Sequence, residues 1–298
     1  MFKGLSAFPL SPIRHGTLDL NAFEKLVGNL VGARVDSICV PGSTGLYPYL
    51  SKGQIFALTS RCVYASENIP VIAGIGALKT QEVLANLENV QKAGVSAVLL
   101  APMSYHPLLE NEVYELYRAV DSESSIPICL YDNPMATGFD FSADLYASIS
   151  DLPMVKAIKF PGRKLDEGFD INEATLDLSG DVVLGISGDQ YALDALSNGC
   201  KLWFSVVGGL LPELALKLMC VNDPHYSEEA RQLNAQLQPL WVMFGKYKGA
   251  VRVVAEFAKA IGYVDYFCLP RPFLPLQEED YNMLIVLADV LRSQGYLK

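Results

Sequence analysis

Short apolar runs recur along the chain at intervals that fit one strand and one helix each. The intervals are roughly 20 to 33 residues, which leaves room for a helix between successive strands. Eight such units favour a closed (β/α)8 barrel, the TIM barrel, although an open doubly wound sheet gives a similar alternation. The runs open near Gly4, Ser37, Pro70, Ala97, Pro127, Val155, Val182 and Leu202.

The segments between the apolar runs carry helical periodicity. Val83, Leu87 and Val90 share one face of a predicted helix, and Gly94 follows as a stop signal. The segment of residues 20–31 repeats the same spacing. Helices therefore alternate with the predicted strands.

The strand signal ends at about Asn222, and three helical patterns follow over residues 227–244, 250–261 and 278–291. This tail is longer than closure of a barrel requires. We therefore predict a (β/α)8 barrel domain of residues 1–222 and a C-terminal helical extension of residues 223–298.

Composition narrows the class of protein. The chain has 298 residues, is 51% hydrophobic and carries a formal net charge of −10 without a run of lysines or arginines. Binding to nucleic acid or to a membrane surface is therefore not expected. No apolar run approaches the roughly 18 residues of a membrane span, and the N-terminal stretch is too short for a signal peptide. We expect a cytoplasmic protein that acts on small molecules.

Cysteine and histidine usage gives no sign of a metal site. The six cysteines lack a Cys-x-x-Cys pair, and two of them fall inside apolar runs, as buried free thiols do. His15, His106 and His225 lie far apart without the spacing of a metal-binding helix. We expect neither a disulfide framework nor a protein-bound metal.

Lys159 interrupts the apolar run of the sixth predicted strand, between Ile158 and Phe160. Burial disfavours the charged ammonium form and so supplies the neutral amine that attacks a carbonyl carbon. The alternative is a lysine at the strand edge whose amine extends into solvent. The residue alone does not decide between a nucleophile and a surface cation.

Polar groups also close two other predicted strands, and the active site of such barrels lies at these strand ends. Tyr131 ends the fifth strand and can transfer a proton to or from an amine–carbonyl adduct. After the second strand, Gly42, Ser43, Thr44 and Gly45 offer two hydroxyls and flexible backbone amides, which suit a small carboxylate. An edge tyrosine and an ordinary turn are the alternatives.

The eighth strand is followed by small residues, from Ser205 and Val206 to Gly208 and Gly209. They would let a ligand approach the backbone, or they would only close the barrel.

These motifs, in this order, resemble the dihydrodipicolinate synthase / N-acetylneuraminate lyase family. The likeness rests on Gly-Ser-Thr-Gly after strand two, Tyr131 in Tyr-Asp-Asn-Pro after strand five and Lys159 in Ala-Ile-Lys-Phe on strand six. Ser187-Gly188-Asp189 and the helical tail extend it over essentially the whole chain.

The resemblance implies a lyase or aldolase in which Lys159 forms a Schiff base with pyruvate or another 2-oxo acid, which then reacts with an aldehyde. Tyr131 would transfer protons, while Ser43 and Thr44 would bind the carboxylate. It also implies a homotetramer, built as a dimer of dimers, and no metal or organic cofactor.

The chain departs from the family pattern at the second-substrate half of the site. Leu46 stands where the second motif commonly has glutamate, and Phe160 replaces another common glutamate. Ala136 stands where dihydrodipicolinate synthases carry an arginine for aspartate semialdehyde. Ser104 occupies the place of an interface tyrosine, and Tyr105 follows it. These losses argue against the lysine-pathway reaction itself.

The remaining rim residues are candidates for contact with the second substrate. Three further functions stay open: the dihydrodipicolinate synthase reaction, a non-catalytic barrel that binds 2-oxo acids, and an unrelated phosphate-binding enzyme. The candidates are His106, Gly188, Asp189, Gln190 and Ser205.

Overall fold

The structure, a computed structural model, describes residues 1–297, in which eight parallel strands close into a barrel. Each strand pairs with its neighbours in chain order, and β8 closes the ring against β1. The predicted barrel is thus confirmed, and the open sheet is excluded. The barrel strands are Gly4–Ala7 (β1), Ser37–Cys39 (β2), Val71–Gly74 (β3), Ala97–Leu100 (β4), Ile128–Tyr131 (β5), Val155–Pro161 (β6), Val183–Ser187 (β7) and Leu202–Ser205 (β8).

Helices surround the barrel and form the C-terminal tail. No helix among residues 1–297 is both long enough and apolar enough to cross a membrane. The helices are Leu20–Ala33 (α1), Lys52–Ala65 (α2), Thr80–Lys92 (α3), Glu110–Glu123 (α4), Pro134–Thr137 (α5), Ala143–Ser150 (α6), Arg163–Asp166 (α7), Ile171–Leu176 (α8), Ala192–Ser197 (α9), Pro212–Met219 (α10), Ser227–Gln236 (α11), Gln238–Lys246 (α12), Val251–Ala260 (α13) and Glu278–Ser293 (α14).

The first helical pattern of the tail is two helices rather than the single helix predicted over residues 227–244. The break at Leu237 separates α11 from α12, and Pro239 lies in the first turn of α12. Proline has no backbone N–H to continue the hydrogen-bond ladder of α11, but it fits the first turn of a new helix.

A two-stranded hairpin, which the hydrophobic pattern did not predict, makes a hydrogen bond to the C-terminal tail. Ile13–Arg14 pairs with Thr17–Leu18 across His15 and Gly16, both of which have positive φ. The Ile13 N–H donates to the carbonyl of Cys268 at 3.0 Å. The tail thus packs on the barrel, and the domain division at residue 222 stays a prediction.

The interior of the barrel is a separate apolar cluster enclosed by the strands. Its members lie on the strands or, for Phe8 and Ala101, directly after a strand, and they are separate from the larger hydrophobic core. The inner cluster consists of Phe8, Cys39, Ile72, Ala97, Leu99, Ala101, Cys129, Tyr131, Ala157, Leu202 and Phe204.

Gly185 on β7 leaves the space that the inner cluster needs. A Cβ atom at this position would lie 2.4 Å from the Phe204 ring and 2.7 Å from the Leu202 side chain. We expect Gly185→Ala to lower the free energy of unfolding by about 1–3 kcal/mol, because the added methyl group overpacks the barrel. Urea denaturation measures this change.

Gly245→Ala in α12 is the matched control, since a Cβ atom there has no neighbour within 4 Å. This substitution should stabilise the protein by up to about 1 kcal/mol through helix propensity. Equal changes in the free energy of unfolding for the two variants would contradict the conclusion that Gly185 is tightly packed against the inner cluster.

Candidate active site

Lys159 points into the barrel. The residue is only 4% exposed, and the pairing of β5 with β6 places it directly beside Tyr131. Its Nζ atom lies 3.9 Å from the centroid of the Tyr131 ring and 4.0 Å from that of Phe8. The Phe204 ring is 5.7 Å away. The amine is therefore buried in an aromatic cage, not extended into solvent.

The alternation of β6 explains this direction. Side chains on a strand alternate between its two faces, and Lys156 is exposed while Ala157 and Lys159 face the barrel interior. The closest described partners of the amine are aromatic rings rather than carboxylates. Ring faces attract an ammonium ion, but they do so more weakly than a buried carboxylate.

The thiols nearest to the amine remain protonated. Burial raises the pKa of Cys39 to about 12, and the positive charge of Lys159 only partly opposes this rise. Burial likewise raises the pKa of Cys129 well above its ordinary value. Because the thiolate is the reactive form, neither cysteine competes with Lys159 as a nucleophile.

Tyr131 connects Lys159 to the loop after β2. The Ser43 hydroxyl donates to the Tyr131 hydroxyl oxygen at 3.2 Å. The Asn133 amide nitrogen donates to the same oxygen at 2.8 Å. An amine, a phenol and a hydroxyl thus form one continuous cluster at the carboxyl ends of β2, β5 and β6.

Sequence reasoning missed Asn133, because its motif predicts only a turn. Its neighbour Asp132 faces the other way, where its carboxylate accepts from the Tyr146 hydroxyl at 2.6 Å and pairs with Lys164 at 3.3 Å. Burial raises the pKa of Asp132, although the bonds from Tyr146 and Lys164 oppose the rise. The Asp132 N–H donates to the Lys159 carbonyl at 3.0 Å and so fixes β5 against β6.

Close packing explains why the loop after β2 has glycine at positions 42 and 45. A Cβ atom on Gly42 would lie 2.5 Å from the Phe8 ring, and one on Gly45 would lie 2.9 Å from the Ser11 hydroxyl. Ser43 is half-buried at the edge of the cluster, and Thr44 is buried beside it. The glycines therefore bring both hydroxyl residues close to the aromatic cage.

Leu46 follows this loop with a positive φ of 61° and is 1% exposed. The position at which the resemblance predicts a glutamate is thus part of the apolar core.

The buried carboxylate of Asp189 holds the loop that follows β8. The residue is 2% exposed, and its carboxylate accepts from the Trp203 ring N–H at 3.0 Å. It also accepts from the backbone N–H groups of Val206 at 3.2 Å and Val207 at 2.7 Å. Burial raises the pKa of Asp189 to about 6. These bonds involve both carboxylate oxygens, so Asp189 supports the loop after β8, and contact with a substrate, for which the sequence makes it one of several candidates, stays a prediction.

Ser205 has a similar structural role, because its buried hydroxyl accepts from the Gly208 N–H at 2.7 Å. Contact between Ser205 and a substrate also stays a prediction. Gly188, with a φ of 93°, and Val206 lie beside it at the rim, where their contact with a substrate stays a prediction.

His106 and Tyr105 lie outside the cluster around Lys159. Both side chains are exposed, and their rings pack against each other with centroids 5.2 Å apart. Ala136 is also exposed, on the one-turn helix α5. The guanidinium of Arg163, at the start of α7, is paired with Asp140 at 2.7 Å and Glu167 at 2.6 Å. Within residues 1–297, no group of three or more His, Cys, Asp or Glu side chains could hold a metal ion.

Known proteins share this sequence and fold over nearly the full length. A 4-hydroxy-tetrahydrodipicolinate synthase of Persephonella marina is 29% identical over 300 residues, which cover 100% of both chains. The crystal structure of dihydrodipicolinate synthase from Agrobacterium tumefaciens str. C58 is 36% identical, with a TM-score of 0.91 over 97% of this chain and 98% of that one.

A monomeric dihydrodipicolinate synthase variant is 25% identical, with a TM-score of 0.87 over 99% of this chain and 98% of that one. The predicted enzyme class, a lyase of this type, is confirmed by these relatives. The sequence model of the Dihydrodipicolinate synthetase family matches residues 1–290. The chain therefore belongs to the dihydrodipicolinate synthetase family.

Proposed function

We propose that this enzyme joins or cleaves a 2-oxo acid, with pyruvate as the simplest, and an aldehyde through a Schiff base on Lys159. The observation that carries this proposal is the position of the buried Lys159 amine, which has no carboxylate partner among residues 1–297 and lies 3.9 Å from the centroid of the Tyr131 ring. The Ser43 hydroxyl extends the cluster from the phenol at 3.2 Å.

Each group of the cluster has a part in this chemistry. The neutral amine of Lys159 attacks the keto carbon, and loss of water gives a protonated imine. The rings of Phe8 and Tyr131 face the resulting positive charge. Removal of a proton from the adjacent carbon gives the enamine, which attacks the aldehyde carbon. Hydrolysis of the new imine then restores the amine.

Proton transfers during these steps fall to Tyr131, whose ring centroid lies 3.9 Å from the amine. Ser43 and Thr44, with the backbone amides between Gly42 and Gly45, would bind the carboxylate of the 2-oxo acid. Because the protonated imine itself accepts the electron pair, the reaction requires no metal or organic cofactor.

The second candidate is the 4-hydroxy-tetrahydrodipicolinate synthase reaction, which the names of the relatives favour. The local residues favour it less, because Ala136 offers a methyl group where a guanidinium is expected to bind aspartate semialdehyde. Arg163 cannot replace it without leaving Asp140 and Glu167.

A homotetramer in the cytoplasm stays a proposal. Exposed apolar side chains near the end of β4, Tyr105 at 89% and Leu109 at 65%, support a face that packs against another subunit.

Borohydride reduction in the presence of pyruvate should attach the reduced ligand to Lys159, because borohydride converts the imine into a stable amine. Peptide mass spectrometry locates the adduct. Lys159→Ala should abolish it, while Lys156→Ala, which removes an exposed lysine of the same strand, should keep it. An adduct that survives Lys159→Ala, or ligand binding without any adduct, would contradict the proposal and favour a non-catalytic 2-oxo-acid-binding barrel.

Tyr131→Phe should slow formation of this adduct by about 10² to 10⁴-fold, because it removes the proton-transferring hydroxyl but keeps the ring. Time-resolved borohydride quenching measures the rate. Tyr263→Phe is the control, since it deletes a half-buried hydroxyl that accepts from the Asn29 amide at 2.6 Å, beside α1. A rate for Tyr131→Phe equal to that of the control would exclude Tyr131 as the acid or base.

Ala136→Arg should raise kcat/KM for aspartate semialdehyde by about 10 to 100-fold, because a guanidinium can pair with the substrate carboxylate. A coupled assay measures the turnover, and the neutral Ala136→Gln variant is the control. Efficient turnover by the unmodified enzyme, with no gain from the arginine, would make the synthase reaction its function.

A further inference from the structure

We propose that Asn133 is a positioning residue that directs proton transfer by Tyr131. Its amide N–H donates to the phenol oxygen, leaves the phenol hydrogen free for Ser43 or a substrate, and can stabilise the negative charge that develops on this oxygen during proton transfer. This inference rests on the proposed Schiff-base chemistry.

Hydrogen-bond capacity sets the direction of the Asn133–Tyr131 pair. The Asn133 amide nitrogen is 2.8 Å from the phenol oxygen, and an amide NH2 group can only donate. The Ser43 hydroxyl, 3.2 Å from the same oxygen, can both donate and accept. The Ser43–Tyr131 bond can therefore reverse, whereas the Asn133–Tyr131 bond cannot. A proton that leaves Tyr131 must move toward Ser43 or the substrate.

The orientation of Asn133 is not explained by the local backbone. The residue occupies the N-cap position of α5, where an asparagine side chain normally accepts a hydrogen bond from the first helical turn. No such cap bond forms here, and only the backbone carbonyl of Asn133 accepts from Ala136 and Thr137. The side chain instead reaches back to Tyr131.

The other groups that face Tyr131 favour this role. Lys159 lies over the ring from β6, Tyr47 approaches from the loop after β2, and Cys39 and Cys129 lie in the barrel interior. Burial raises the pKa of Tyr47 and of both thiols, so all three stay neutral. Asp132 is turned toward Tyr146 and Lys164. Asn133 and Ser43 are thus the described side chains that donate to the phenol oxygen, and the Lys159 amine lies over the ring.

Exchange of the methyl hydrogens of pyruvate for deuterium tests this role, because it requires the enamine but no second substrate. Proton NMR in D2O gives the exchange rate as a function of pH. Asn133→Ala should move the rising limb of this profile by about one pH unit to alkaline, the loss expected for one hydrogen bond to a charged oxygen. Asn133→Asp should move it further, because a carboxylate cannot donate and adds a like charge.

Two controls separate this role from a loss of structure. Asn29→Ala removes a similar bond, from the Asn29 amide to the Tyr263 hydroxyl at 2.6 Å, and should leave the profile unchanged. Borohydride should still trap pyruvate on Lys159 in both Asn133 variants, which shows that the site is intact.

Three results would overturn the inference. An Asn133→Ala profile that coincides with that of the unmodified enzyme removes the role of the amide. An Asn133→Asp profile that coincides with it shows that the amide is not the donor. An unmodified enzyme that neither traps nor exchanges pyruvate overturns the proposed function as well, whereas trapping with an unshifted profile overturns Asn133 alone.

Discussion

A lysine amine held inside the barrel among aromatic rings is the constraint on which the site depends. Lys159 is 4% exposed, and its closest described neighbours are the rings of Phe8 and Tyr131. A carboxylate in this place would hold the amine in its charged form. In the proposed mechanism, the rings would face the cation that forms with a carbonyl substrate without binding the resting amine as strongly as a carboxylate. The proposed reactivity of Lys159 thus follows from the side chains that surround it.

Barrel closure assembles this environment from distant parts of the chain. Pairing of β5 with β6 places Tyr131 beside Lys159, and the loop after β2 brings Ser43 to the same phenol. The packing of Gly42 against Phe8 permits this approach, because any side chain at this position would collide with the ring. The barrel therefore acts as a rigid frame whose strand ends carry the chemistry.

The sequence predicted the strands because they depend on local patterns. Each apolar run begins within one residue of the start of an observed strand, and Lys159 stands out by interrupting one. This local pattern left open whether the amine points inward or extends into solvent, because that depends on the neighbouring strands and loops. Hydrogen-bond partners depend instead on distances between elements. The sequence therefore could not show that the Asp189 carboxylate accepts hydrogen bonds from the backbone of Val206 and Val207. From the sequence alone, it could equally be a carboxylate at the rim that contacts the substrate. For the same reason it did not show that Asn133 reaches back to Tyr131.

The most direct test of the proposed Schiff base on Lys159 is a crystal structure of the enzyme, from crystals grown in the presence of pyruvate. We predict continuous electron density from Lys159 Nζ to the keto carbon, with the ligand carboxylate bound by Ser43 and Thr44. Pyruvate bound without a covalent link, or with its carboxylate away from this loop, would contradict the account.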